Sequence, residues 1–272
     1  MIRSPAVAGA FYPGNAAQLG ARLDQLVRPS VSARPALAVV VPHAGWMYSG
    51  ATAGRLYSQV RVPDRVILIG PNHHGLGSDY AVFDVGSWRT PIGDVPIAEP
   101  LAAKLLDHSE WLAADAPAHA REHSLEVQVP MLLRCNPGLH LVPILIGGLW
   151  PESGGRDRLR EIGAAIAVTV KESGRPVLLV ASSDLNHFED ESTSRAKDRS
   201  VLEAIVGLDE EGLMDRVIGK NVSMCGVAPA YVVLVAAKQL GARRAEVIDY
   251  RTSGEVNGDF GRVVGYGAVV IE

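Results

Sequence analysis

Arg65-Val66-Ile67-Leu68-Ile69-Gly70-Pro71-Asn72-His73-His74-Gly75 is a run of aliphatic, mostly β-branched side chains that breaks at once into a turn of proline, asparagine and paired histidine. Alternating apolar and polar residues would mark a strand with one wet face. This run does not alternate, so it reads as a strand buried on both faces, as in a parallel sheet covered by helices. Working outward, the pattern recurs twice. Ala36 to Val41 runs into Pro42-His43-Ala44-Gly45, and Pro176 to Ala181 runs into Ser182-Ser183-Asp184-Leu185-Asn186-His187. A fourth such run covers Leu141 to Ile146. Between the strands, apolar spacing predicts helices over Ala16–Leu26, Ala51–Val60, Leu101–Leu106, Ser124–Leu133, Arg156–Lys171, Thr193–Val206 and Pro229–Leu240. The alternation is that of an α/β fold with a mostly buried central sheet flanked by helices. The last residues differ: Ala245–Tyr250, a glycine-containing loop Ser253–Gly261 and Val263–Ile271 read as a closing C-terminal antiparallel hairpin. With no internal repeat, linker or charge block, residues 1–272 are expected to form one domain.

Composition narrows the function classes. Hydrophobic residues make up 47% of the 272 and charged residues 21%, which excludes a disordered chain. A net charge of −4 offers nucleic acid no broad basic surface. No apolar run approaches the roughly 18–20 residues that cross a bilayer. The N-terminal apolar stretch is cut short by Phe11-Tyr12-Pro13-Gly14, too early for a signal h-region. Cys135 and Cys225 form neither a disulfide framework nor a C-x-x-C metal pair, so a reducing compartment is expected, and the protein is read as cytoplasmic, without membrane or nucleic-acid partners.

Three strands thus end in polar turns that carry histidine. In open α/β sheets the carboxyl ends of the strands form the binding crevice, so these turns are expected to converge. Packing gives histidine no reason to recur there, whereas neutral imidazole is the commonest biological metal ligand. His43 and one of His73 and His74 are the best ligands. His73 follows its strand more closely and is favoured, leaving His74 to support a ligand from behind or to face a substrate. Cys225 lies just ahead of the helix start marked by Pro229, where a thiol pKa is lowered toward the metal-binding thiolate; the alternative is a buried, inert cysteine. Cys135, within an apolar helix, has only that second reading. Asp184 and His187, three apart, read as a carboxylate that orients an imidazole general base. Ser182-Ser183 lacks a Gly-x-Ser-x-Gly elbow, so a serine hydrolase is a weak reading.

His119-Ala120-Arg121-Glu122-His123 fits the H-x-x-E-H pattern of inverted zinc peptidases, with His119 and His123 as ligands and Glu122 as base. That pattern needs a continuous helix. A loop leading into the helix near Ser124, with Glu122 and His123 at the rim of the site, is the favoured reading.

Taken in order, Ala-Gly-Ala-Phe-Tyr-Pro near the start, Val-Pro-His-Ala-Gly-Trp at 41–46, Gly-Pro-Asn-His-His-Gly at 70–75, Glu-His-Ser-Leu-Glu at 122–126, Ser-Ser-Asp-Leu-Asn-His at 182–187 and Met-Cys-Gly at 224–226 resemble the Memo family. Its bacterial members are called AmmeMemoRadiSam system protein B. The family is similar in fold to the LigB-type class III extradiol dioxygenases, which are non-haem iron enzymes. The resemblance implies a metal held by His43, His73 and Cys225, with Asp184 and His187 lining the same pocket. It also implies a pathway shared with a radical-SAM protein and an AMMECR-type protein. Those dioxygenases bind Fe(II) through two histidines and a carboxylate. A thiolate in the carboxylate's place shifts preference toward copper or zinc and makes catechol cleavage a poor expectation.

The function expected from this reading is a metalloprotein with one mononuclear iron or copper site, zinc being possible too. It would carry out redox or O₂-linked chemistry on a small molecule, with His187 and Asp184 catalytic and His74, His123 and Glu122 facing the substrate. The alternative is a non-catalytic adaptor that binds a peptide or a metal.

Overall fold

The computed structural model describes residues 1–28, 30, 32–147 and 154–272. In chain order the strands are β1 (Ile2–Arg3), β2 (Ala38–Val41), β3 (Arg65–Pro71), β4 (Tyr80–Val82), β5 (Ser87–Thr90), β6 (Gly93–Pro96), β7 (Ala113–Ala114), β8 (His140–Ile146), β9 (Leu178–Ser182), β10 (His187–Glu189), β11 (Ala245–Thr252) and β12 (Val263–Ile271). The helices are α1 (Ala16–Leu26), α2 (Gly50–Tyr57), α3 (Glu99–Asp107), α4 (Val129–Cys135), α5 (Gly155–Ser173), α6 (Glu191–Val206), α7 (Glu210–Gly219), α8 (Val227–Gln239) and the single turn α9 (Gly254–Asn257).

The expected α/β architecture is what forms: a central mixed sheet flanked by helices. Its order is β10-β12-β2-β9-β3-β8-β4-β7, with β11 paired to β12. The four continuous apolar runs are its parallel heart, β2-β9-β3-β8, and apart from their first residues they are buried on both faces. The C-terminal hairpin also forms, from Ala245 opposite Ile271 to Thr252 opposite Gly265, and β12 joins it to the sheet antiparallel to β2. A separate three-stranded sheet, β1-β5-β6, lies outside the expectation.

Register decides where the chemistry sits. Val41 pairs with Ser182, and Ile69 pairs with Ala181, so β2, β9 and β3 end at nearly the same level. Because β9 lies between β2 and β3, the three histidine-bearing turns leave one edge side by side. Helix α8 completes this edge. It is apolar on every side and buried along nearly its whole length, as suits a helix packed between a sheet and other helices. Its first residues reach the strand ends through Gly226, whose N–H donates to Ser183 Oγ at 3.0 Å. A Cβ at Gly226 would lie 2.4 Å from Ser183 Cβ and 2.5 Å from the Ser182 carbonyl oxygen, so only glycine permits this approach.

Asp198 of α6 ties the other flank together. It accepts the Asn186 N–H at 2.8 Å and the Tyr250 hydroxyl at 2.7 Å. Burial pushes its carboxyl up from 3.8 to about 6, against the pull of the Tyr250 hydrogen bond. The folded protein therefore keeps this proton up to about pH 6 while the unfolded chain releases it near its ordinary value of 3.8. Stability drawn from Asp198 falls as pH rises through that window, by an amount on the order of 3 kcal/mol. Asp198→Asn is expected to flatten this part of the pH dependence of the urea midpoint; an unchanged slope would show that the carboxyl titrates elsewhere.

Candidate metal centre

His43 follows β2 and is 2% exposed. Its backbone N–H donates to Asp184 Oδ1 at 2.7 Å. Its ring Nδ1 lies 3.1 Å from Ser182 Oγ. That hydroxyl has one proton, and it is given to the Ser124 carbonyl at 2.6 Å, while Gln128 Nε2 donates to Ser182 Oγ at 2.9 Å. Ser182 can therefore only accept from His43, which assigns the proton to Nδ1 and the lone pair to Nε2. Burial, then the neighbouring His73 and His123, hold the imidazole well below its ordinary pKa, so it is neutral. Its Nε2 faces Cys225 Sγ at 3.2 Å.

His73 follows β3 and is fixed by Glu122. One carboxylate oxygen accepts the His73 N–H at 2.7 Å, and the other accepts from its Nδ1 at 2.9 Å. The His123 and Ser124 N–H groups donate to that same second oxygen at 2.9 and 2.8 Å. Burial alone would raise the Glu122 pKa, but the His73 hydrogen bond and charge, with the Ser124 N–H, hold it well below the usual carboxylate range. The carboxylate in turn keeps the proton on His73 Nδ1 and leaves Nε2 free, the arrangement by which a carboxylate prepares a histidine ligand.

The rings converge. His43 stands edge-on to His73 at 5.2 Å and to His123 at 5.5 Å between centroids, and His73 and His123 stack at 4.5 Å. Donor atoms of His43, His73 and His123 all lie within 4.8 Å of one another, and so do those of His74, Glu122 and His123. These two sets are the three-donor clusters among the described residues. Cys225 contacts His43 without belonging to either. Its expected thiolate character is not met: burial, then the Asp184 carboxyl, pushes the thiol well above its ordinary pKa. The helix N-terminus that follows is outweighed by desolvation, so a cation is needed to draw the proton off.

Several sequence expectations change here. Asp184 does not orient His187. Its Oδ1 accepts the N–H groups of His43 and Ala44, and burial pushes its carboxyl up to about 7. His187 Nδ1 instead donates to the Ser223 carbonyl at 2.8 Å, and its backbone N–H donates to Ser223 Oγ. The ring lies near enough to depress the pKa of His43. Glu122 is buried under four N–H donors and does not sit at the rim. His74 is exposed, with Nε2 donating to the Arg121 carbonyl at 3.0 Å.

The H-x-x-E-H motif does not assemble. Pro117–His119 is a short 3-10 turn, and no helix runs on through His123. His119 turns into the core between Phe83 and Trp88, at 5.7 and 5.8 Å between ring centroids, and among the described residues neither ring nitrogen makes a well-formed hydrogen bond, the Ala81 backbone being the nearest polar neighbour to act on it. The roles that sequence reasoning missed belong to Ser182, Gln128 and Ser223, which set imidazole orientation from distant segments. Tyr57 supports Gln128 in turn, its hydroxyl 3.0 Å from Gln128 Oε1.

Fold and site together define an α/β protein whose strand ends gather neutral imidazoles, a carboxylate and a thiol around one pocket, donors that could hold a metal ion. The family model for Memo-like proteins matches residues 3–270, and the chain belongs to the Memo family. MEMO1 family proteins of Methanopyrus kandleri and Methanosarcina barkeri are each 39% identical to it, the first covering 99% of both chains and the second 100% of both. One from Aquifex aeolicus is 38% identical over 97% of both. A crystal structure of an uncharacterized Escherichia coli K12 protein, JW3007, shares the fold at a TM-score of 0.54 and 14% identity, covering 86% of this chain and 98% of that one. Among the described residues no helix is long and apolar enough to cross a membrane.

The unpartnered His119 makes the rejected motif testable. Burial holds its pKa down to about 3, so it stays neutral, with no well-formed hydrogen bond to either nitrogen among the described residues. His119→Phe removes them within an aromatic cage and is expected to raise unfolding free energy by about 1–3 kcal/mol, with bound metal unchanged by elemental analysis. A loss of metal would return His119 to the site.

Proposed function

We propose that this Memo-family protein is a metalloprotein with one mononuclear iron or copper site held by His43, His73 and Cys225, and that it carries out redox or O₂-linked chemistry on a small molecule. The observation that supports this most is the paired tautomer control. Ser182 and Glu122 each take an Nδ1 proton, so both imidazoles present Nε2 as a ready donor. Cys225 Sγ, 3.2 Å from one of those nitrogens, suits a cation placed between them, because a protonated thiol there loses its proton on coordination. Two nitrogens and a sulfur fit copper or a thiolate-bound iron better than the two-histidine, one-carboxylate set of ring-cleaving dioxygenases. When bound, such a metal supplies electron transfer to an oxidisable substrate or to O₂.

The protein's own groups would handle the protons. His187, with Nδ1 committed to the Ser223 carbonyl, has Nε2 free as an acceptor, and burial depresses its pKa so that it is uncharged at neutral pH. Asp184, with its carboxyl pushed up to about 7, holds or releases a proton near neutrality beside the His43 backbone. His123, stacked on His73 and packed against Phe11, forms an aromatic wall for a planar ligand. By family resemblance the partners to test for are a radical-SAM protein and an AMMECR-type protein, in a cytoplasmic setting.

Elemental analysis of anaerobically purified protein is expected to find one iron or copper per chain, falling at least about tenfold in His43→Ala, His73→Ala and Cys225→Ser. Full retention in all three would overturn the ligand assignment. O₂ uptake by metal-loaded protein with reductant should disappear in His187→Ala. Absence of uptake in the loaded wild type would leave a binding protein in place of an enzyme.

A further inference from the structure

Glu122 is a buried carboxylate held as an anion by four N–H donors, yet among the described residues its only ion-pair partners are His73 and His123. Arg3, the cation that reaches this segment, donates to the Glu122 backbone carbonyl and forms its own ion pair with Glu126. Buried charges are ordinarily paired or coordinate metals. The four hydrogen bonds are unevenly shared. Three converge on Oε1, and Oε2 accepts only the His73 backbone N–H, so Oε2 keeps a free lone pair.

Two imidazoles stand beside it. His74 Nε2 donates to the Arg121 carbonyl, which can only accept, so its Nδ1 carries a lone pair. His123 differs from the other histidines of the site. His43, His73, His74 and His187 each commit one ring nitrogen to a protein partner, whereas among the described residues no hydrogen bond ties either nitrogen of His123. The nearest approach is Nδ1 to Glu122 Oε1 at 3.4 Å, beyond ordinary N–H···O length. Donor atoms of His74, Glu122 and His123 lie within 4.8 Å of one another. The two sets share His123; the first reaches inward to buried His43, and the second pairs the fully buried Glu122 with exposed His74.

From this we infer that the protein binds a second divalent cation of borderline softness, such as Zn²⁺ or Fe²⁺, beside the first, through His74, Glu122 and His123. The inference rests on the reading that the inner ion takes Cys225 as its third donor, which leaves His123 for the outer one. Two imidazoles and one carboxylate suit such ions and leave coordination positions open toward solvent. Glu122 would then serve both ions, orienting His73 for the inner one through Oε1 and ligating the outer one through Oε2. A substrate with an anionic or chelating group could enter by way of the outer ion.

The test is titration of Zn²⁺ into metal-free full-length protein against a competing chelator, with Co²⁺ loading as a second readout. Wild type is expected to bind two equivalents. His74→Ala, which alters an exposed side chain, should weaken the second by at least about tenfold and leave the first. In the Co²⁺ protein, sulfur-to-cobalt charge-transfer absorption marks the inner ion and should survive His74→Ala. Saturation of the wild type at one equivalent would overturn the proposal, as would a His74→Ala variant that still binds two equally. Loss of one equivalent in His74→Ala, with no sulfur-to-cobalt absorption in the wild type, would uphold the outer site and sink the Cys225 assignment instead.

Discussion

The candidate site depends on one buried carboxylate. Glu122 accepts two N–H groups from His73 and one each from His123 and Ser124, joining the turn after β3 to the segment that leads into α4. An ionised carboxylate in the interior must find such donors, and removing them would leave a charge that a protein cannot easily bury. The segment is itself anchored from the other side. Glu126 accepts from Arg3, from the Ala6 and Val7 N–H groups and from the Tyr12 hydroxyl, and Arg3 caps the His119 and Glu122 carbonyls. The N-terminal residues thus act as a strap that keeps Glu122 under His73.

The parallel heart of the fold was legible because continuous apolar runs have few other uses, and the convergence of their histidine turns followed from the geometry of α/β sheets. Elements that lacked a period escaped. β4, β5, β6 and β7 are only two to four residues long, too short to show a period, and all but the wholly buried β4 mix burial classes. Helix α7 left a usable trace in its Asp209 cap and in the spacing of Leu213 and Val217. The helix expected from Ser124 begins only at Val129, because Pro130 fits a first turn and not an interior. At the site, sequence proximity misled. Asp184 and His187 look like a pair at three residues' separation, but their partners come from the turn after β2 and from Ser223. Glu122 looked like a rim residue because it lies on a loop among polar neighbours, but its donors include a turn 49 residues away.

The pocket is built for a positive charge. It gathers neutral imidazoles, an anionic glutamate, a thiol that burial keeps protonated and an aspartate poised near pH 7. Each of these groups gains when a cation arrives, and the thiol changes state only then. A metal bound through that thiol would therefore release a proton as it binds.

Ser182 touches no proposed ligand atom, yet its single hydroxyl proton points to the Ser124 carbonyl and so dictates which nitrogen of His43 faces the pocket. The chain from Gln128 through Ser182 to Ser124 is directional, like a valve. Reversing it would turn the lone pair of His43 away from the pocket without changing one ligand. Whether His43 can serve as a donor is thus set by residues of β9 and of the segment before α4, and not by the histidine alone.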